Sequence, residues 1–239
     1  MDQDHHVAKD VNVTDGMPIE DDPKLAVRKS YDKIASIYLK WTEAKTSPRP
    51  AYIDKLLSRL HAPSTAHILE LGCGAGMPVT KHLSERCTNV VANDISETQI
   101  ELARSHLSNT RNIQFIRDDM TDLTFPPNTF DAVVAFYSLI HLPRHEQVEM
   151  LIKISTWLKH GGYLVCNLGA SDDPGSSKEW LGGGRMYWSS FDTVTSLKWM
   201  DEADFYDVES EVVVDDEDGK KVSFLWVFAK KQEKVQEDG

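Results

Sequence analysis

The chain has 239 residues, 41% hydrophobic and 27% charged, a length that favours one domain with a full-sized core. Its 38 acidic and 26 basic residues leave a formal net charge of -12, with Lys and Arg scattered singly or in pairs. Such a surface repels phosphate backbones, so no nucleic-acid substrate is expected. The three cysteines, Cys73, Cys87 and Cys166, form neither a disulfide framework nor a metal-binding pair. No apolar run approaches the roughly 20 residues of a membrane span, and the acidic start lacks signal-peptide character. The expectation is a cytoplasmic protein without membrane association.

Residues 1–23 mix Asp, His, Asn, Gly and Pro without apolar periodicity and are expected to form a flexible leader, in which the His5-His6 pair carries no assigned role. From Lys24, Leu25, Val27, Ile34, Ile37, Tyr38 and Trp41 recur at mostly helical spacing, predicting an amphipathic helix or helix pair that Ser47-Pro48-Arg49-Pro50 breaks. Tyr52, Ile53, Leu56, Leu57 and Leu60 mark a second helix, ending near Pro63. Short apolar runs then alternate with helical patterns: 68–71, 90–92, 113–116, 132–136 and 163–168. That alternation predicts an α/β fold with a parallel sheet covered on both faces. Ser96 with Gln99 reads as a capping box, and Val148, Leu151, Ile152 and Ser155 as one face of a helix closed by Gly161-Gly162. Residues 170–191 are rich in Gly, Ser and Asp yet carry Trp180, Tyr187, Trp188 and Phe191. A helix through Val194, Leu197 and Met200 follows, then strands at 208–214 and 222–229. Asp218-Gly219 between those strands is a hairpin signal, making the last strand antiparallel. The chain closes in a charged tail, 233–239.

The chemistry concentrates at Glu70-Leu71-Gly72-Cys73-Gly74-Ala75-Gly76, a strand end followed by glycines at alternate positions. Glycine there supplies unusual φ angles and lets backbone meet ligand. Asp94 closes the next strand, where a carboxylate accepts hydrogen bonds from ribose hydroxyls. A dinucleotide loop expects Gly-x-Gly-x-x-Gly; here the third glycine is out of that register, and Glu70 suits a cationic ligand better than a diphosphate.

These residues resemble the first motif of the class I S-adenosylmethionine (SAM)-dependent methyltransferases, of small-molecule type, over roughly 25–230. The resemblance implies a three-layer Rossmann-like sandwich, with a seven-stranded sheet of order 3-2-1-4-5-7-6 and strand 7 antiparallel. It implies a cofactor site of Glu70, Gly72, Cys73, Gly74, Gly76, Asp94, Ile95, Gln99, Asp119, Met120 and Phe136, with Asp119 rather than Asp118 at the adenine and Glu70 orienting the site through the glycine-loop backbone or capping its own loop. Residues 24–60 are then a helical lid over SAM, from which Tyr31 reaches the cofactor while Tyr38 and Trp41 pack. No Asn-Pro-Pro-Tyr follows the fourth strand, where Ala135-Phe136-Tyr137-Ser138 stands instead, which disfavours nucleobase and amide nitrogen as acceptors.

His141, on the carboxyl side of the sheet, is the candidate base; the alternative is a helix-start histidine bonded to backbone. Residues 170–191 form the expected acceptor lid, with Tyr137, Trp180, Met186, Tyr187 and Trp188 as candidate substrate contacts. Asp172 or Asp173, facing inward, would favour a cationic amine. The expected organisation is a single domain, 24–232, acting as monomer or homodimer, using SAM and no metal. Its expected reaction methylates O, N or S of a small, partly apolar metabolite; a non-methylating rearrangement or cyclisation is the alternative.

Overall fold

The computed structural model describes residues 22–217 and 219–233. The expectations placed on 1–21 and on 234–239, like Asp218 itself, lie outside the described residues. Asp22 is already structural: its carboxylate caps Lys24 and Leu25 N–H groups, and Pro23 opens helix α1 (Pro23–Glu43). Residues 24–41 are therefore one helix rather than a pair.

Helix α2 (Arg49–Arg59) leads into strand β1 (His67–Leu71), after which come α3 (Val79–Ser84), β2 (Asn89–Asp94), α4 (Glu97–His106), β3 (Ile113–Arg117) and β4 (Phe130–Ala135). Helix α5 (Arg144–Trp157) precedes β5 (Leu158–Gly169). A two-stranded hairpin, β6 (Asp173–Glu179) and β7 (Arg185–Ser190), then stands apart from the main sheet. Helix α6 (Thr193–Glu202), β8 (Phe205–Glu217) and β9 (Lys220–Lys231) complete the chain. The seven-stranded sheet has order β3-β2-β1-β4-β5-β9-β8. With the β6–β7 hairpin set aside this is the expected 3-2-1-4-5-7-6, and β9 runs antiparallel to both β5 and β8.

Period-two alternation builds the core. Leu69, Val91, Val133, Ala135, Leu164 and Cys166 face α5 and α6, meeting Met150, Leu151, Ile154, Trp157 and Met200. Their neighbours Ile68, Val90, Ala92, Ala132, Val134 and Val165 face the other way, toward Ile53, Leu56, Leu83 and Ile100. Such strands are apolar on both faces, as a sheet covered by helices requires. Because α3 lies on one face after β1 and α5 on the other after β4, the carboxyl ends of these strands open a crevice between them.

Three local expectations need correction. In the capping box, Ser96 Oγ accepts the Gln99 N–H at 3.1 Å, but the Gln99 side chain does not reach back. The buried face of α5 runs through Gln147, Met150, Leu151, Ile154 and Ser155, leaving Ile152 exposed. In α6, Val194 faces solvent and only Ser196 and Met200 are buried.

Candidate functional site

At the crevice, Gly72, Gly74 and Gly76 all have positive φ (77°, 54° and 77°). For Gly72 the need is doubled, because an added Cβ would lie 2.4 Å from Ser138 Cβ. The loop is pinned to β2 by Gly72 and Cys73 N–H groups, both donating to the Asn93 carbonyl at 2.8 Å. Asp94 completes the pin. Its Oδ2 accepts the Gly74 N–H at 2.8 Å and its Oδ1 the Ser96 N–H at 2.9 Å. Each oxygen keeps a lone pair for an incoming hydroxyl. Burial pushes the Asp94 carboxyl up to about 6, against the pull of those two N–H donors.

A narrow cleft runs along this loop, lined by Gly72, Gly74, Asp94, Ile95, Gln99 and Phe136, with Asp119 and Met120 at one end. Helix α1 closes over it through several polar latches. Lys24 Nζ reaches Asp119 Oδ2 at 2.8 Å, Glu146 Oε2 at 2.9 Å and Thr121 Oγ1 at 2.9 Å. Burial works against the ammonium, but its bonds to Asp119 and Glu146 outweigh it and raise its pKa. Farther along, Ser96 Oγ donates to Asp32 Oδ1 at 2.7 Å. The cleft suits a polar, nucleoside-like guest: both amide atoms of the buried Gln99 lack protein partners there, and its Oε1 faces Gly74.

A second, larger cavity of about 830 Å³ lies beyond, between the α1–α2 connection, the β6–β7 hairpin and the β8–β9 hairpin. Its walls include Trp41, Trp180, Trp188 and Phe224. Tyr31, Tyr38, Tyr137 and His141 line both spaces and form the partition between them.

At that partition, His141 Nδ1 lies 2.7 Å from the Tyr187 carbonyl oxygen. A carbonyl only accepts, so Nδ1 carries the proton and Nε2 presents its lone pair. The Tyr31 hydroxyl donates to that lone pair at 3.0 Å. Burial lowers the His141 pKa to about 4, against the opposing pull of the Tyr187 carbonyl, so the imidazole is neutral. His141 ends, rather than starts, a one-turn 3-10 helix (Leu139–His141), its ring is bonded to backbone, and its Nε2 lone pair faces the partition. Tyr137, with φ 54°, donates its hydroxyl to Asp215 Oδ2 at 2.7 Å. Burial and the neighbouring carboxylate raise its pKa.

Several predicted contacts fall elsewhere. Glu70 sits behind the loop, buried, where Thr80 Oγ1 donates to its Oε2 at 2.6 Å. Burial pushes its carboxyl up to about 8, with the Thr80 bond pulling the other way. The Cys73 side chain packs into the core with Val79 and Ile100, and Gly76 presses against Ala103 and Leu107 of α4. Neither lines the cleft. Met186 is fully buried with Val27 and Ile34 under α1, away from the larger cavity. Tyr187 contributes its carbonyl to His141 while its ring lies against Gly175. Asp172 is drawn to Arg144 at 2.5 Å, and Asp173 lines the cavity but accepts from Gly175 N and Ser176 Oγ. Tyr38 and Trp41, expected as packing, are cavity walls. Sequence reasoning missed Lys24, Asn93 and Ser138 in the cleft and Lys45 and Arg49 in the cavity. Only Asn93, beside Asp94 on its strand, carried a local signal.

Residues 68–162 match the family model described as a methyltransferase domain. Trans-aconitate 2-methyltransferase of Rhodococcus jostii is 35% identical over 127 residues, 52% of this chain and 46% of that protein. Demethylmenaquinone methyltransferase of Lactiplantibacillus plantarum is 30% identical over 116 residues, 46% of this chain and 48% of that protein. The chain spans less than half the length of the curated relatives it matches. Among solved structures, the 1,6-didemethyltoxoflavin-N1-methyltransferase of Burkholderia thailandensis superposes with TM-score 0.71 at 18% identity, covering 96% of this chain and 99% of that one. That structure holds 1,6-didemethyltoxoflavin and S-adenosylhomocysteine. Motif and sheet order resemble those of the class I, SAM-dependent methyltransferases, and residues 68–162 carry the match to a methyltransferase domain.

Proposed function

We propose that this protein binds SAM in the cleft along Gly72, Gly74 and Asp94 and methylates a small molecule held in the larger cavity. The observation that carries the reading is the shared partition of Tyr31, Tyr38, Tyr137 and His141, which places the two spaces end to end. When bound, SAM supplies an activated methyl group on a sulfonium. Asp94 offers its free lone pairs to the ribose, and Asp119 with Met120 borders the adenine end. Helix α1, latched through Lys24 and Asp32, excludes water from the cleft. Tyr31, Tyr38 and Tyr137 align the acceptor, and alignment supplies much of the rate in such a displacement. For an acceptor that must lose a proton, the Tyr31 hydroxyl takes it up while passing its own to His141 Nε2.

We read the chain as one domain, 24–232, with α1–α2 as cofactor lid and 170–191 as acceptor lid, acting in the cytoplasm as monomer or homodimer without nucleic acid. Among the described residues no helix is long and apolar enough to cross a membrane. The fold also hosts the [4+2]-cyclase SpnF, at TM-score 0.67 and 16% identity, so the test must read product mass. Incubation with SAM and a panel of small metabolites is expected to yield S-adenosylhomocysteine and a product heavier by one CH2. A product of unchanged mass, or no binding of S-adenosylhomocysteine by calorimetry, refutes the proposal.

A further inference from the structure

We infer that the acceptor is an acid: an unsaturated or aromatic body bearing a carboxylate or phosphate, which Arg49 receives. This rests on the reading that the larger cavity is the acceptor site. The chain as a whole is strongly acidic, with a net charge of -12, yet three cations, Lys45, Arg49 and Lys178, line this one cavity. The acids around the same space are already engaged. Asp215 accepts the Tyr137 hydroxyl, Asp216 holds Lys221 and the Gly219 N–H, Asp173 holds Gly175 N and Ser176 Oγ, and Glu217 has partners of its own.

Among the described residues the cations hold only neutral partners within hydrogen-bond or ring-contact distance, and none of the three is ion-paired to a carboxylate. Arg49 is the telling one. It is half-buried at the start of α2, and its Nε donates to Ser47 Oγ at 2.9 Å. Among the described residues the two terminal nitrogens have no hydrogen-bonded partner, and they present the fork that pairs with a carboxylate or phosphate. That fork lines the cavity, where a planar anion can meet it with two parallel hydrogen bonds. Its position is also right, since it stands 5.6 Å from the Tyr137 ring, at the partition. Lys45 is 3.3 Å from the Trp41 ring centre and donates to the Asp216 carbonyl, while Lys178 lies 4.9 Å from the Trp188 ring. These two set ammonium groups beside an aromatic wall of Trp41, Trp180 and Trp188, which fits a flat apolar body attached to the anion.

The experiment uses the full chain with saturating S-adenosylhomocysteine and three matched probes: 2-naphthoate, 2-naphthyl phosphate and the neutral 2-naphthamide. Calorimetry is expected to show at least one acid bound about tenfold or more tighter than the amide, the scale of one charge-assisted hydrogen bond. The tighter of the two acids identifies the anion. Arg49→Gln is expected to cut the preference to about twofold, Arg49→Lys to keep part of it, and both to bind S-adenosylhomocysteine as wild type does. Equal binding of acid and amide, no binding of any probe, or an acid preference that survives Arg49→Gln overturns the inference. So does an Arg49→Gln variant whose S-adenosylhomocysteine affinity falls instead, because Arg49 then serves the cofactor. If wild-type protein fails to bind S-adenosylhomocysteine, the cofactor reading falls rather than this one.

Discussion

Replacing Asp94 with Asn tests the cofactor site at its hinge. The carboxylate spends one lone pair of each oxygen on the loop, receiving Gly74 N–H and Ser96 N–H, and offers the others to the ligand. Asparagine keeps a single acceptor oxygen, so its NH2 must confront one of those N–H groups, and the ribose loses its charged acceptor. A hydrogen bond to a charged group is worth about 1.5–3 kcal/mol, which predicts S-adenosylhomocysteine affinity about 10- to 150-fold weaker at pH 8. The pH profile sharpens the test. Burial holds the unliganded Asp94 carboxyl near about 6, so it is ionised at pH 8 and protonated below pH 5. If the ionised form binds the ribose, wild-type affinity is flat above about pH 7 and falls toward tenfold per pH unit below about pH 5. The intervening window belongs to Asp94, because His141 titrates near about 4 and Glu70 near about 8. Asp94→Asn should show no such slope. Calorimetric titrations of both proteins from pH 8 to pH 4.5 measure it. An Asn variant within about threefold of wild type at pH 8, or a wild-type affinity indifferent to acid, would sink the ribose assignment.

Two further predictions concern the partition and the loop. His141 has its pKa lowered to about 4 by burial, whereas in the unfolded chain it lies near 6.5, so below pH 6.5 only the unfolded chain takes up that proton. Stability contributed by the neutral imidazole is therefore present above about pH 6.5 and lost as pH falls toward 4, up to about 3 kcal/mol. His141→Gln removes this titration, and urea denaturation at pH 7 and 4.5 should show a smaller acid loss than wild type; an undiminished loss refutes a buried neutral histidine. Gly72→Ala meets both a positive φ and Ser138, predicting about 2–4 kcal/mol of destabilisation. At Gly219, where φ is 82° and nothing lies within 4 Å, alanine should cost about 1–2 kcal/mol. Equal costs at the two positions would show that contact with Ser138 is unimportant.

The middle of the sheet was legible because β1, β2 and β4 are buried on both faces, and such runs declare themselves whatever packs on them. Within the seven-stranded sheet, expected and observed strands agree in number and place, differing at their ends by one to several residues: the fifth begins at Leu158 rather than near 163. The hairpin β6–β7 was not legible as strands. Asp173–Glu179 holds no β-branched or aromatic residue, and its extended form comes from pairing with β7 and from Arg144, which donates to the Asp173 and Ser190 carbonyls. Helix faces misled for a related reason. Apolar periodicity selected Val148 and Ile152, but α5 turns Gln147 inward, where its Nε2 donates to the Leu142 and Ser189 carbonyls. A buried amide with both bonds made costs little, so a polar residue can displace an apolar one from the core face.

The site divides along the same line. Gly72, Gly74 and Asp94 could be read because one strand, one turn and the next strand dictate their geometry within a short stretch. His141 could be nominated from its place after the fourth strand, but not given a chemistry. Its two nitrogens are governed by Tyr31 and by the Tyr187 carbonyl, 110 and 46 residues away in the chain. The proton on Nδ1 follows from that carbonyl alone, and no pattern around His141 encodes it. Glu70 shows the converse failure. Its place beside the glycine loop was right, yet its side chain turns from the cleft to Thr80, because a strand residue facing the α3 side cannot also face the ligand. If Glu70 influences the cofactor, it does so through the backbone it anchors. A Glu70→Gln variant, which preserves the Thr80 bond, should then disturb binding far less than Asp94→Asn.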